Sequence, residues 1–262
     1  MTPTADRARS FDAWAPDYDR FRPGYPDELF DEIEARLSLP PRPLVVDLGA
    51  GTGLATLAMA RRGWRMTAVE PGRPMVDVLR ARASDEGLVL ATIQANAEET
   101  GLDPASVDLA TAAQAWHWFD ATRALDEIER IVRPGGGLAL FWNVRDAATS
   151  PLLADYNVLL ESHGIDADTR LPGKDPQTAT RIREAGGFEE PQFIQVAHSV
   201  ETTPDGFIGL AFTKSYVREL PPDDQARLAD ELRALIERHA SGERTFVVPY
   251  VVDCWIVRRR GS

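Results

Sequence analysis

The chain has little of the chemistry that disulfides and metal sites require. Among its 262 residues there is a single cysteine, Cys254, so a disulfide within the chain is excluded. One cysteine is also too few to complete a zinc site with histidines that are widely separated, at positions 117, 163, 198 and 239. We therefore expect no metal site, and we interpret Cys254 as a small buried hydrophobic residue.

Long apolar runs are missing as well. No stretch approaches the roughly 18 uninterrupted apolar residues of a membrane helix. The first ten residues lack the apolar core of a secretory signal. These absences predict a soluble, cytoplasmic protein without a membrane partner. Lysine is nearly absent too, at positions 174 and 214 only, and a basic set made mostly of arginine, beside many alanines and prolines, suggests a high-GC bacterial genome.

Positive charge is in deficit over the whole chain. There are 29 basic and 41 acidic residues, which gives a formal net charge of −12. Because such a surface repels a polyphosphate backbone, DNA and large RNA are disfavoured as partners. We expect a small-molecule substrate instead, and the sequence leaves the oligomeric state open.

What is present between residues 44 and 142 is an alternation of strand-like and helix-like segments. Strands are predicted at 44–48, 65–70, 88–94, 107–112 and 137–142, and helices at 54–62, 73–84 and 121–132. This alternation is typical of a doubly wound parallel sheet with right-handed crossovers. The segment Pro134–Gly137 is predicted to be the turn that ends the third helix and opens the next strand.

The flanking segments complete one α/β domain. A helix is predicted at 26–37, and further helices at 151–163, 175–185, 205–217 and 222–240. Two closing strands are predicted at 192–202 and 245–257, the second either continuous or interrupted at Pro249. We expect a seven-stranded, mostly parallel sheet with an antiparallel last strand. Residues 1–40 would be a lid or cap, 41–145 the cofactor-binding core, and 146–262 the substrate-side helices and closing strands.

The most informative segment is the glycine run that follows the first predicted strand. Residues 44–53 are Leu-Val-Val-Asp-Leu-Gly-Ala-Gly-Thr-Gly, with glycine at 49, 51 and 53. Glycine permits positive φ and lets a ligand lie against the main chain, while the next helix directs its N–H groups there. Glu70 ends the second strand, where a carboxylate can accept hydrogen bonds from both ribose hydroxyls. Leu54 occupies the position at which a dinucleotide-binding fingerprint needs its third glycine.

The pattern D-x-G-x-G-x-G from Asp47 to Gly53, followed by Glu70, resembles motif I of the class I S-adenosylmethionine-dependent methyltransferases. The resemblance implies S-adenosylmethionine as cofactor, held at the carboxyl edge of the sheet. Asn96 stands where the family usually has an aspartate that binds the adenine amino group. The residues assigned to the cofactor are Tyr18, Arg22, Asp47, Gly49, Ala50, Gly51, Gly53, Glu70, Pro71, Met75, Asn96, Ala97 and Gln114.

Two aromatic-rich segments are interpreted as the acceptor side of the site. The first, Gln114-Ala-Trp-His-Trp-Phe119, follows the fourth strand. The second, residues 11–26, resembles the opening segment of a methyltransferase subgroup that includes trans-aconitate methyltransferase-like proteins. The matching residues are Trp14, Tyr18, Arg22, Pro23, Tyr25 and Pro26. In that subgroup the opening segment implies a lid over the cofactor. The acceptor residues are expected to be Trp14, Tyr25, Trp116, Trp118, Phe119, Trp142 and Arg145, although Trp116 and Trp118 are equally compatible with core packing.

His117 is the candidate catalytic base, because an ordinary pKa of about 6.5 suits proton removal near neutral pH. The alternative is a hydrogen-bonded structural histidine. If the acceptor is a carboxylate no base is needed, and Arg22, Arg145 or Arg218 would position it. The sequence thus predicts methyl transfer to an O, N or C nucleophile of a small molecule. A non-catalytic cofactor-binding protein and an NAD-dependent oxidoreductase are the alternatives.

Overall fold

The computed structural model describes residues 22–165, 175–240 and 242–261. Trp14 and Tyr18, which the sequence assigns to the site, lie outside these ranges. The elements in chain order are α1 (Asp27–Leu37), β1 (Leu44–Leu48), α2 (Leu54–Arg61), β2 (Arg65–Val69), α3 (Arg73–Asp85), β3 (Ala91–Ile93), β4 (Val107–Ala113), a 3₁₀ turn (Trp116–Trp118), α4 (Ala121–Ile131), β5 (Val132–Arg145), α5 (Pro151–Ser162), α6 (Pro176–Ala185), β6 (Gln192–Thr202), α7 (Pro204–Phe212), α8 (Ser215–Arg218), α9 (Pro222–His239) and β7 (Phe246–Arg258).

The sheet has seven strands in the order β3-β2-β1-β4-β5-β7-β6, which confirms the predicted fold class. Strands β1 to β5 pair in parallel, and β7 lies antiparallel between β5 and β6. The strand order reverses between β1 and β4, because the chain adds β2 and β3 on one side of β1 and β4 and β5 on the other. In such folds, ligands bind at the carboxyl ends of the two strands that flank this reversal. The glycine run and the end of β4 therefore meet at one place.

Three buried clusters hold the molecule together. One covers the sheet face under α4 and α6, and includes Trp116 and Trp142. A second packs α1 and α2 on the opposite face, through Phe30 and Phe141. The third lies among α5, α7, α9 and the start of β7, so these helices form a layer of their own beyond the carboxyl ends of the parallel strands. This helical layer covers that edge of the sheet.

Three predicted boundaries were wrong, for local reasons. Residues Pro134–Gly137 are not a turn between α4 and β5, because Val132 already pairs with Val107 and the glycines lie in an irregular stretch before Gly137 pairs with Leu109. The third strand starts only at Ala91, since the Leu88 N–H still bonds to the Ala83 carbonyl at 2.8 Å.

The third wrong boundary and one alternative that the sequence left open concern the closing elements. The predicted helix at 205–217 is two helices, α7 and α8, because the Thr213 hydroxyl donates to the Leu210 carbonyl at 2.8 Å and the chain breaks at Lys214. Strand β7 is continuous through Pro249, which pairs with Ser199 without disturbing the register. Within the described ranges no helix has the length and apolarity that would let it cross a membrane.

Candidate active site

The turn after β1 is built around residues with left-handed backbone. Gly51 has φ of +56° and Gly53 of +89°, and a Cβ on Gly53 would lie 2.8 Å from Leu79 Cγ, so this glycine is required for packing. A Cβ on Gly51 would meet nothing within 4 Å. The space beside Gly51 is therefore open to a ligand, which is the arrangement that a nucleoside cofactor needs.

Glu70 lies directly over this turn. Its Oε2 accepts a hydrogen bond from the Gly51 N–H at 2.9 Å, and its Oε1 accepts one from the Gly72 N–H at 2.8 Å. Glu70 thus stabilises the turn from a position beside the open space. Its contact with a ribose stays a prediction.

Asp47 occupies a different position from the one predicted. It is 1% exposed, and its two oxygens accept hydrogen bonds from Thr56 Oγ1 at 2.5 Å and Thr111 Oγ1 at 2.8 Å. Burial is the main cause that raises the pKa of this carboxyl to about 6, and the threonine hydrogen bonds only partly offset it. Asp47 therefore braces β1 against α2 and β4, and it is not available for direct contact with a ligand.

Replacing Asp47 with asparagine tests this role. Because the folded protein binds the Asp47 proton more tightly than the unfolded chain, the carboxyl favours folding below about pH 4, and this contribution is lost as the pH rises through about 6. Asp47→Asn should gain about 1 kcal/mol of unfolding free energy relative to the wild type between pH 5 and pH 7.5. Urea unfolding at both pH values measures it. A difference between variant and wild type that does not change with pH would contradict the assignment.

The remaining cofactor residues lie on the loops around this turn. Gly49 and Ala50 donate their N–H groups to the Val69 carbonyl at 2.8 and 3.1 Å, and the Pro71 carbonyl accepts from Gln94. Met75 and Ala97 are buried, and Asn96 is exposed at the end of the loop after β3. The Gln114 backbone, with φ of +56°, begins the loop after β4.

The aromatic run after β4 divides between core and cleft. Trp116 is 3% exposed and belongs to the core cluster, so the packing interpretation is correct for it. Phe119 lies beside the glycine turn, because a Cβ on Gly49 would stand 3.2 Å from its Cζ. Trp118 is partly exposed and its ring lies 4.7 Å from that of His117.

Two residues expected on the acceptor side pack elsewhere. Trp142 is fully buried in the cluster under α4 and α6, which corrects its assignment to the substrate. The ring of Tyr25 packs edge-on against Phe141, with centroids 4.9 Å apart, on the α1 face of the sheet. Tyr25 therefore anchors the N-terminal segment against the core.

His117 lies near two positive charges. Its side chain is exposed to solvent, and partial burial, followed by the charges of Arg22 and Lys214, lowers its pKa to about 4. The imidazole is therefore neutral at pH 7. A base with so low a pKa removes a proton from a hydroxyl inefficiently, which weakens the catalytic role predicted from sequence.

Arg145 extends from the end of β5 into the helical layer. Its guanidinium carbon lies 4.5 Å from the ring centroid of Tyr156 and 4.3 Å from that of Phe207. Its Nη2 and the Tyr156 hydroxyl are both buried, and neither has a hydrogen-bond partner among the described residues. Both atoms can donate hydrogen bonds.

Lys214 is a member of this site that the sequence did not indicate. Burial, then the charges of Arg22 and Arg145, hold its pKa well below the usual range for lysine. Four segments that are distant in sequence thus place Arg22, His117 and Arg145 within electrostatic range of Lys214. No local pattern marks Lys214 except its position at the break between α7 and α8. The described residues contain no group of three His, Cys, Asp or Glu side chains arranged to hold a metal.

The sheet order, the glycine turn and the acid after β2 define a nucleoside-binding α/β protein. Residues 46–140 match a family model described as a methyltransferase domain. The chain is 36% identical over 251 residues to an uncharacterized methyltransferase of Mycobacterium tuberculosis, which covers 95% of both proteins. It is 32% identical over 243 residues to one of Schizosaccharomyces pombe, covering 92% of this chain and 93% of the relative.

A solved structure from Anaeromyxobacter dehalogenans, assigned to the type II methyltransferases, matches with a TM-score of 0.65 at 29% identity and covers 92% of this chain and 100% of that one. The chain therefore belongs to the class I S-adenosylmethionine-dependent methyltransferases.

Proposed function

We propose that the protein transfers a methyl group from S-adenosylmethionine to a carboxylate oxygen of a small acidic molecule. One observation carries the cofactor assignment. The Glu70 carboxylate accepts hydrogen bonds from the Gly51 and Gly72 N–H groups and lies beside the open space at Gly51. Met75 and Ala97 would enclose the adenine, and the Asn96 amide would serve the adenine edge. Gln114 would adjoin the methionine end.

Glu70→Gln should weaken binding of S-adenosylhomocysteine about 10- to 100-fold, because the amide keeps the size but loses the charge-assisted acceptor. Isothermal titration calorimetry measures this, with NADH as the competing ligand. Glu86→Gln is the matched control, since Glu86 pairs with Arg61 at the surface. Failure of S-adenosylhomocysteine to bind the wild type, a preference for NADH, or an unchanged affinity in Glu70→Gln would each refute the cofactor assignment.

The acceptor class follows from the positive charge gathered in the cleft. The whole protein carries a net charge of −12, yet Arg22, Arg145 and Lys214 converge at one place. Two buried donors there, Arg145 Nη2 and the Tyr156 hydroxyl, have no acceptor within the described part of the chain. An unsatisfied buried donor costs about 1–3 kcal/mol, and a bound carboxylate would satisfy both.

A carboxylate acceptor also suits the state of His117. S-adenosylmethionine supplies an activated methyl group on a sulfonium, and its transfer to a carboxylate gives a methyl ester and S-adenosylhomocysteine with no proton to remove. The chain's residues then need only hold and orient the acid, for which Arg145 and Lys214 are suited. His117, neutral at pH 7, would form part of the cleft wall together with Trp118 and Phe119.

Assays with methyl-labelled donor test the acceptor class against mono-, di- and tricarboxylic acids and their matched alcohols and amines. The label transferred should be alkali-labile and recovered as methanol, as expected for a methyl ester. Lys214→Gln and Arg145→Lys should each lower kcat/KM for the acid about 10- to 100-fold, because each weakens a charge-assisted contact. They should leave the affinity for S-adenosylhomocysteine within twofold.

Arg227→Gln is the control for loss of a positive charge, because Arg227 is exposed on α9. Transfer of alkali-stable label to an alcohol or amine, or equal effects of Arg227→Gln and Lys214→Gln, would refute the acidic acceptor while leaving the cofactor assignment intact.

A further inference from the structure

The described chain begins with a short segment that crosses between the sheet and the helical layer. This strap, residues 22–26, starts at Arg22 in the cleft and continues into α1 at Asp27. Pro23 lines a small cavity with Val200, Phe207 and Tyr250. At its other end the Tyr25 ring packs against Phe141 at 4.9 Å. The strap therefore has apolar contacts at two points, and between them its backbone faces β5.

Asn143 on β5 makes polar contacts with the strap. Its Nδ2 donates to the Pro23 carbonyl at 3.2 Å and to the Gly24 carbonyl at 2.9 Å. Both amide hydrogens are thus directed at consecutive peptide groups of one segment. Proline at 23 and 26 removes two backbone donors from the strap, so hydrogen bonds to its carbonyls are the polar attachment that it can form most readily.

The amide of Asn143 is itself oriented by a second side chain. Its Oδ1 lies 2.8 Å from His198 Nε2 on the edge strand β6. With Nε2 protonated, this nitrogen donates to Oδ1 and leaves Nδ2 to donate to the strap, so only one amide orientation satisfies all the contacts. The His198 ring also stacks on Tyr250, with centroids 5.5 Å apart, which limits its rotation.

Asn143 is also connected to the cofactor side. Its backbone carbonyl accepts a hydrogen bond from Gln114 Nε2 at 3.1 Å, and Gln114 begins the loop that continues to His117. One residue therefore joins the strap, the edge strand and the loop after β4. Arg22, adjacent to Pro23, is held where its charge acts on both His117 and Lys214.

We propose that Asn143 is a positioning residue that latches the strap, with His198 fixing the direction of its amide, so that Arg22 is held over the acceptor cleft. Neither side chain needs to touch the acceptor or the cofactor. The proposal concerns the free protein and does not depend on which acceptor the cleft takes.

A single label on the strap measures the latch without any ligand. Gly24 is exposed, and a Cβ there meets nothing within 4 Å, so Gly24→Cys can carry a fluorophore. The native Cys254 is fully buried and burial raises the pKa of its thiol, which keeps it unreactive in the folded protein. Fluorescence anisotropy then reports motion of the strap, and thermal unfolding reports global stability.

In the labelled protein, Asn143→Ala should lower the anisotropy towards that of a freely mobile label, and His198→Phe should do so in part, because phenylalanine retains the stack on Tyr250 but not the donor. His198→Gln, which restores a donor, should return the anisotropy to the wild-type value. Gln195→Ala is the control, since Gln195 makes an amide contact of 2.7 Å with Asp253 on the same pair of strands but away from the strap.

The proposal is overturned if Asn143→Ala leaves the anisotropy unchanged, or if Gln195→Ala lowers it equally. It is also overturned if His198→Gln and His198→Phe behave alike. Should Asn143→Ala prove too unstable to label, Asn143→Asp keeps the shape and removes the donors, and the same increase in mobility is expected.

Discussion

Gly51→Ala should weaken S-adenosylhomocysteine binding about 10- to 100-fold while costing only about 1–2 kcal/mol of unfolding free energy. The stability cost is that of a non-glycine residue at φ of +56°, since the added Cβ meets nothing within 4 Å. The affinity cost arises because the same methyl group fills the space in which the cofactor is proposed to lie, as overpacking does in a core. Calorimetric titration and urea unfolding measure the two quantities.

Gly63→Ala is the matched control for this variant. Gly63 has φ of +84° and equally open surroundings, but it follows α2 at the end remote from the glycine turn. It should show the same loss of stability with no loss of affinity. Equal affinities for Gly51→Ala and Gly63→Ala would mean that the open space at Gly51 is not the cofactor site.

Trp142→Ala should lower the free energy of unfolding by about 3–5 kcal/mol, the cost of removing a large fully buried ring. Urea unfolding measures this loss. Trp118→Ala is the comparison, because the Trp118 side chain is partly exposed and lies beside His117. It should cost clearly less stability. If Trp142→Ala proved nearly neutral, the indole would not be part of the core and its assignment to the acceptor would have to be reconsidered.

Local patterns predicted the fold around the glycine turn well. Strand β1 coincides with the predicted residues 44–48, and the glycine turn and Glu70 lie together as their spacing indicates. Here a strand, a turn and a helix are consecutive, so the chemistry of neighbouring residues determines the geometry. The burial of Asp47, which argues against a direct contact with the ligand, was not predicted because its threonine partners, Thr56 and Thr111, come from two other elements.

The acceptor side depends on contacts that no local pattern contains. Alternation along β5 separates Trp142 from Asn143 and Arg145, since successive side chains point to opposite faces of a strand. Applying that rule would have placed Trp142 and Arg145 on opposite faces of the sheet. Lys214 reaches the cleft only because α7 ends two residues before it and the helical layer folds back over the sheet, which the sequence alone does not reveal.

The measurement that tests the central claim most directly is a crystal structure of the protein with S-adenosylhomocysteine. The account predicts the ribose hydroxyls within about 3 Å of the Glu70 carboxylate, the nucleoside in the open space at Gly51, and the homocysteine sulfur facing the cleft of His117, Arg145 and Lys214. Ligand density elsewhere, with Glu70 contacting only the Gly51 and Gly72 N–H groups, would contradict it.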